Sequence, residues 1–194
     1  MIKKFQSITD LSALFPGLEF ISKMPESLKV ASEIRPFQKD EVIHRTGDSV
    51  THALCVIIGE LRLVRHDRSG KETVLQRTQR GFIAEASLNH HKYHCDVVAS
   101  KKGSLLRIPA AQFIESLDRE QLFRNAWFLH LAKELRRLRG QCERMNFRSA
   151  DDRVLHFIES EGSNGIYQLN QTKKSWAAEL GLTHEALYRS LARL

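Results

Sequence analysis

The sequence predicts an α+β protein: an N-terminal antiparallel β-roll of the jelly-roll kind, then one long helix, then a small helical domain. Three observations carry this. From Arg35 onward apolar residues recur at every second position, in short runs separated by glycine-marked turns, the pattern of half-buried antiparallel strands. Across residues 128–145, Phe128, Leu131, Leu135, Leu138, Cys142 and Met145 fall alternately three and four apart, which is the a/d seam of a coiled coil. At the C-terminal end, Ala177, Gly181, Thr183 and Leu187 are spaced as two helices crossing at a tight turn require.

Bulk properties narrow the function. The 194 residues carry a net charge of +7, so a polyanionic partner suits the whole chain. The excess sits before Asn146. Beyond it Arg148, Arg153, Lys173, Lys174, Arg189 and Arg193 are balanced by Asp151, Asp152, Glu159, Glu161, Glu179 and Glu185, so charge alone does not make the C-terminal segment a binder of polyanions. Cys55, Cys95 and Cys142 are scattered and odd in number. That argues against disulfides and iron–sulfur ligation and for a cytoplasmic location. No apolar run is long enough to span a membrane, and the N-terminus has no apolar core of a secretory signal.

In chain order, Ile8, Leu11 and Leu14 share a helical face that Pro16 and Gly17 end, and short helices are expected to about residue 34. Val42 to His44 forms a strand leading to a Thr46-Gly47-Asp48 turn. The run from Ala53 to Ile58 is a buried strand punctuated by Gly59 and Glu60. Leu61 and Leu63 then face one side of the next strand, with Arg62 and Val64 on the other. Ser69-Gly70 turns the chain into Glu72–Gln76, and two further strands begin at Cys95 and Ser104. Pro109 suits the first position of a helix with Phe113, Ile114 and Leu117 on its apolar face. The long helix starts near Arg119. Lys133, Glu134, Arg136, Arg137, Arg139, Glu143 and Arg144 make its solvated face, and Gly140 is its weak point. Ser149 caps the next helix, with Asp151 and Asp152 in its first turn, and residues 166–169 read as a short strand.

The segment from Thr172 to Leu194 reads as a helix-turn-helix. Ala177 is small where the helices approach, Gly181 permits the positive-φ turn, and Leu180 and Leu182 fill the angle. Thr183 caps the second helix, whose buried stripe is Leu187, Leu191 and Leu194. His184, Glu185, Tyr188 and Arg189 are left outward, on the part that enters the major groove. Arginine pairs bidentately with guanine, and glutamate accepts from cytosine N4. The competing reading is a plain helical hairpin with Glu185 and Arg189 as a surface ion pair. The preceding seam, which presents two copies of this motif, favours DNA.

These features resemble the CRP/FNR family of bacterial transcription regulators over nearly the whole chain. Val42-Ile43, Gly47-Asp48 and the run from Leu54 through Gly59 to Leu63 are similar to its β-roll signature. Gly70-Lys71-Glu72, Leu75 and Gly81-Phe82-Ile83-Ala84-Glu85 resemble the approach to its ligand cassette. Phe147 and Asp152-Arg153-Val154-Leu155 resemble the hinge and first helix of its winged DNA-binding domain. The resemblance implies an effector domain over residues 1–118, a dimerisation helix over 119–146 and a winged-helix-type DNA-binding domain over 147–194. The partners implied are a second copy, a palindromic double-stranded DNA operator and, for an activator, RNA polymerase. It places Glu185 and Arg189 on positions that read a G·C pair, and puts His184 where cyclic-AMP-responsive members carry arginine. The sequence ends at Leu194, so most of the wing is expected to be missing and DNA binding to be correspondingly weaker.

The effector pocket departs from the family. Cyclic-nucleotide binders place a glutamate on ribose and an arginine on the cyclic phosphate. Here Glu85 remains, Ala84 replaces the preceding glycine, and Lys92-Tyr93-His94-Cys95 replaces the Arg-Ser pair in a shortened loop. The pocket residues are therefore Ala84, Glu85, Lys92, Tyr93 and His94, and the expected effector is unidentified and not cyclic AMP. His90, His91 and His94 beside Cys95 are the alternative, a metal or haem site, but no distant further ligand is evident and no metal is expected. Two other functions compete: an adaptor whose neutral C-terminal domain binds protein, and a metal-dependent enzyme. The histidines are not spaced along strands and no nucleophile–base pair is visible, so an enzyme is not expected.

Overall fold

Two long strands form the spine of the β-rich part in the computed structural model, which describes residues 3–4 and 19–194 other than 71 and 170. The elements are β1 (Lys3–Lys4), α1 (Glu19–Ser22), α2 (Glu26–Ala31), β2 (Glu33–Phe37), β3 (Val42–His44), β4 (His52–His66), β5 (Glu72–Thr78), β6 (Gly81–Ile83), a 3₁₀ turn (Glu85–Ser87) and β7 (Asp96–Pro109). Helices α3 (Ala110–Arg119), α4 (Gln121–Asn146), α5 (Ala150–Glu161), α6 (Lys173–Glu179) and α7 (His184–Arg193) follow. The sheet is antiparallel in the order β1-β2-β7-β4-β5, with β3 also paired to β7 and β6 to β4. The chain divides into two compact units, Met1–Phe128 and Leu129–Leu194, with the division inside α4.

Several elements differ from the sequence expectation for identifiable reasons. The strands read on either side of Gly59 are one strand, β4, and those beginning at Cys95 and Ser104 are one strand, β7. The interruption is a bulge: β4 and β7 change register between Val56 and Leu61, and Gly59 sits at φ +96°. A Cβ on Gly103 would lie 1.9 Å from the Ile58 carbonyl oxygen, so two glycines let the backbones cross where the ladder kinks. Val64 is fully buried, not outward, beside a second register shift between Leu63 and Val64. Pro109 ends β7 and precedes α3, whose first residue is Ala110. Residues 166–169 form no strand; Ser163 and Ile166 make an isolated bridge, and Ile166 is exposed. The face containing Ile8, Leu11 and Leu14 lies outside the described residues.

Alternation along β4 explains why its apolar run is continuous. Ala53, Cys55 and Ile57 join one core with Phe20, Ile21, Met24 and Leu28 of the N-terminal segment and Phe113, Phe123 and Trp127 of α3 and α4. Leu54 and Val56 join a second core with Phe37, Ile43, Ile83, Tyr93 and Leu105. A strand buried on both faces has no polar side to alternate with. The aromatic side chains interlock edge to face, as where Phe113 and Trp127 ring centroids lie 5.0 Å apart.

The helical unit has its own core of Val154, Phe157, Trp176, Ala177, Leu180 and Leu187. Ser149 caps α5 as expected, accepting from the Asp151 and Asp152 amides. Arg144 does not belong to the solvated face of α4. It is 2% exposed, its guanidinium stacks 4.9 Å from the Phe157 ring centroid, and it donates to Ser160 Oγ at 3.1 Å. Burial works against its charge, which Glu161 at 3.7 Å supports. Leu194, expected in the buried stripe of the last helix, is exposed, and Ser190 lies buried on that side instead.

Candidate nucleic-acid interface and effector pocket

Helix α7 gains its start from Thr183, whose Oγ1 accepts from the Ala186 amide at 3.1 Å. Thr172 does the same for α6, accepting from Ser175 N at 3.1 Å. Between them Gly181 adopts φ +65°, the left-handed conformation a tight interhelical turn needs. A Cβ there would also press on Arg153 Nη1 at 3.1 Å. With Leu187 and Ser190 buried, Thr183, His184, Glu185, Tyr188 and Arg189 all lie exposed on α7. Glu185 is held below the usual carboxylate range, chiefly by its own backbone N–H at the helix start and then by the Thr183 hydroxyl. It is therefore ionised and acceptor-only at neutral pH.

Arg153 was not singled out for a role by sequence reasoning, yet it organises this unit. From α5 its Nε donates to the Phe147 carbonyl at 2.9 Å and Nη2 to that of Met145 at 3.3 Å. Its Nη1 donates to the Leu180 and Gly181 carbonyls at 3.3 and 3.2 Å. One planar fork thus satisfies carbonyls at the end of α4 and at the turn between α6 and α7, a use for which arginine's rigid donors suit it better than lysine. Arg193 closes the unit by pairing with both oxygens of Asp151, at 2.7 and 3.0 Å.

On α4 the seam residues face solvent. Phe128 and Met145 are 60% and 65% exposed, and Leu131, Leu135, Leu138 and Cys142 are exposed as well. Phe123 and Trp127 of the same helix are buried in the β-rich unit. A large exposed apolar stripe on one helix marks an interaction surface.

Three of the five expected effector-pocket residues line one open cleft. An open cleft of about 590 Å³ is lined by Thr46, Gly47, Ala86, His90, His91, Lys92, Tyr93 and His94, so Lys92, Tyr93 and His94 border it while Ala84 and Glu85 do not. Backbone pairing builds it: Gly47 N donates to Tyr93 O at 2.8 Å and Tyr93 N to Asp48 O at 2.9 Å. The Tyr93 ring is buried and stacks on His44 with centroids 4.3 Å apart, and its hydroxyl donates to the His52 carbonyl at 2.9 Å. Burial pushes that phenol up to about 12. Ala84 is buried and takes the glycine-like φ of +63°, so the backbone keeps the shape that a glycine would favour while a methyl occupies the space.

The histidines do not assemble a metal set. His94 Nδ1 lies 2.6 Å from Ser87 Oγ, and its pKa is lowered by burial and then by Arg65 and His90, so it is neutral at pH 7. Cys95 is packed in the second core. Among the described residues no three His, Cys, Asp or Glu side chains converge as a metal ion requires, and no helix is long and apolar enough to cross a membrane.

Comparison with known proteins agrees with this architecture. Residues 34–120 match the cyclic nucleotide-binding domain family. FixK2 from Bradyrhizobium japonicum is similar in structure at 18% identity, with a TM-score of 0.63 over 84% of this chain and 84% of that one. DNR from Pseudomonas aeruginosa matches at 18% identity and a TM-score of 0.59, over 99% of this chain and 89% of its own. The Thermus thermophilus catabolite activator protein matches at 25% identity and a TM-score of 0.52, over 93% and 85%. No curated protein matches by sequence. Residues 34–120 are thus similar to a cyclic nucleotide-binding domain, and the chain as a whole has the fold of the CRP/FNR-type transcription regulators.

Proposed function

We propose that this protein is a homodimeric, sequence-specific DNA-binding transcription regulator of the CRP/FNR type, not an enzyme, controlled by an effector other than cyclic AMP. The observation that carries the reading is α7: a capped helix with Glu185, Tyr188 and Arg189 exposed on one side, in a chain with this fold. DNR, a transcriptional regulator, and a catabolite activator protein share the architecture. In this reading residues 1–118 form the effector β-roll, 119–146 the dimerisation helix and 147–194 the winged-helix-type DNA-binding domain. The exposed stripe of Phe128, Leu131, Leu135, Leu138, Cys142 and Met145 pairs two copies. The pair presents two α7 helices to successive major grooves of a palindromic operator.

Cyclic AMP is disfavoured because a buried methyl stands at Ala84 and a buried, already hydrogen-bonded phenol at Tyr93, with no arginine fork in the 84–95 segment. Lys92 and His94, on the open cleft, with Glu85 nearby in sequence, are the proposed effector contacts.

Mobility shift against a random-sequence library tests the reading. Enrichment of an inverted repeat is expected, and Arg189→Ala should cost about 1–3 kcal/mol at one base pair and relax the choice there. Equal, salt-sensitive binding to every sequence would overturn it.

A further inference from the structure

Tyr188 does not stand alone on α7. Its ring meets that of His184 one turn earlier, with centroids 4.6 Å apart and planes at 64°. The ammonium of Lys173, the first residue of α6, lies 4.7 Å from the centroid of the same ring. The ring nevertheless remains 45% exposed. Two helices thus brace one exposed aromatic side chain, which then has little rotamer freedom left to lose on contact.

The order of side chains around α7 says what the ring can read. At roughly 100° per residue, His184, Tyr188, Glu185 and Arg189 follow one another around the helix. Glu185 and Arg189 present charged hydrogen-bonding ends. The flank of the Tyr188 ring is apolar and makes no bidentate pair. The only apolar group that the base edges offer in the major groove is the C5-methyl of thymine. Lys173 begins the first helix of the motif, the helix that crosses the sugar–phosphate backbone in such complexes.

We propose that Lys173, Tyr188 and His184 act as one recognition unit. The braced Tyr188 ring receives the methyl of a thymine next to the pair read by Glu185 and Arg189, while Lys173 holds the ring and contacts a backbone phosphate. The inference rests on the DNA-binding reading of α7 and extends it. It makes Lys173 unlike an ordinary phosphate contact, whose loss weakens all sequences alike: losing this lysine frees the ring and blunts base choice too.

The test uses the full chain and an operator selected from a random library, with each thymine replaced in turn by uracil, which removes only the methyl. One thymine per half-site is expected at which uracil lowers affinity about fourfold, the worth of one buried methyl. Tyr188→Ala should bind thymine and uracil there equally. Lys173→Ala should weaken binding to all operators and flatten the same discrimination, and Lys173→Arg should keep it. Uracil matching thymine at every position would overturn the inference while leaving sequence-specific binding intact. Full methyl discrimination in Lys173→Ala would overturn the proposed unit. Failure to select any sequence would sink the inference together with the DNA-binding reading.

Discussion

Arg144 shows how one side chain can be misplaced by pattern. Its position between seam residues reads as solvated, but the side chain is only 2% exposed against Phe157 and Ser160. Its ion-pair partner Glu161 remains about a third exposed. Removing the arginine therefore does not strand a buried charge, and the cost is set by the cavity. Arg144→Ala should destabilise the helical unit by about 2–3 kcal/mol. Arg144→Met, which refills the space without a charge to desolvate, should stay within about 1 kcal/mol of wild type. Urea unfolding followed by circular dichroism distinguishes the two. Asp151 titrates in a predictable direction. The Arg193 guanidinium holds its carboxyl below the ordinary value, so the pair's stabilisation is fully present above about pH 4 and is lost as pH falls through the folded-state pKa. Thermal melts of wild type should drop more steeply below pH 4 than those of Asp151→Asn. Equal slopes would show that the pair contributes nothing.

At the scale of elements, caps and turns were the most legible features. Ser149 and Thr183 cap α5 and α7, and Gly181 has the expected positive φ, because each of these is a local demand of the backbone on its own residue. The long strands were less legible. A bulge needs two backbones far apart in sequence, and Gly59 read alone looks like a strand end, not the partner of Gly103. The site was legible in the same uneven way. The α7 face follows from helical spacing, whereas nothing local says that the hydroxyl of Tyr93, on the cleft, will be used by the His52 carbonyl. Arg153 escaped because its four acceptors come from two distant places, the end of α4 and the turn between α6 and α7. Helix α4 supplies the prediction at this scale. Leu135→Glu should convert the proposed dimer to monomer in sedimentation. Gly140→Ala should stabilise the helix by about 1 kcal/mol, since the added Cβ would meet only Arg144 Nη1, at an ordinary van der Waals distance of 3.4 Å. Combined with Cys142→Leu it should raise dimer stability and operator affinity together. A rise in one without the other would limit the helix to holding the dimer.

For the whole molecule, the two units differ in how far along the chain their contacts reach. The spine of the β-rich unit pairs His52 with Pro109 and Leu63 with Val97, so its ladder forms only after long loops have closed. In the helical unit the backbone hydrogen bonds lie within helices and are local, although α5 also packs on α7. Topologies of the first kind fold in roughly milliseconds to seconds, and local helical ones in microseconds to milliseconds. The chain carries two tryptophans, Trp127 in a core of the first unit and Trp176 in that of the second. Each unit therefore has its own fluorescent reporter. Refolding of Trp127→Phe should show the fast phase and that of Trp176→Phe the slow one, and a single shared rate would mean that the two units fold as one. The kinked β4–β7 pair then has a consequence in time as well as in shape: a refolding chain would spend an interval with the helices proposed to read DNA already formed while the β-rich unit is still assembling.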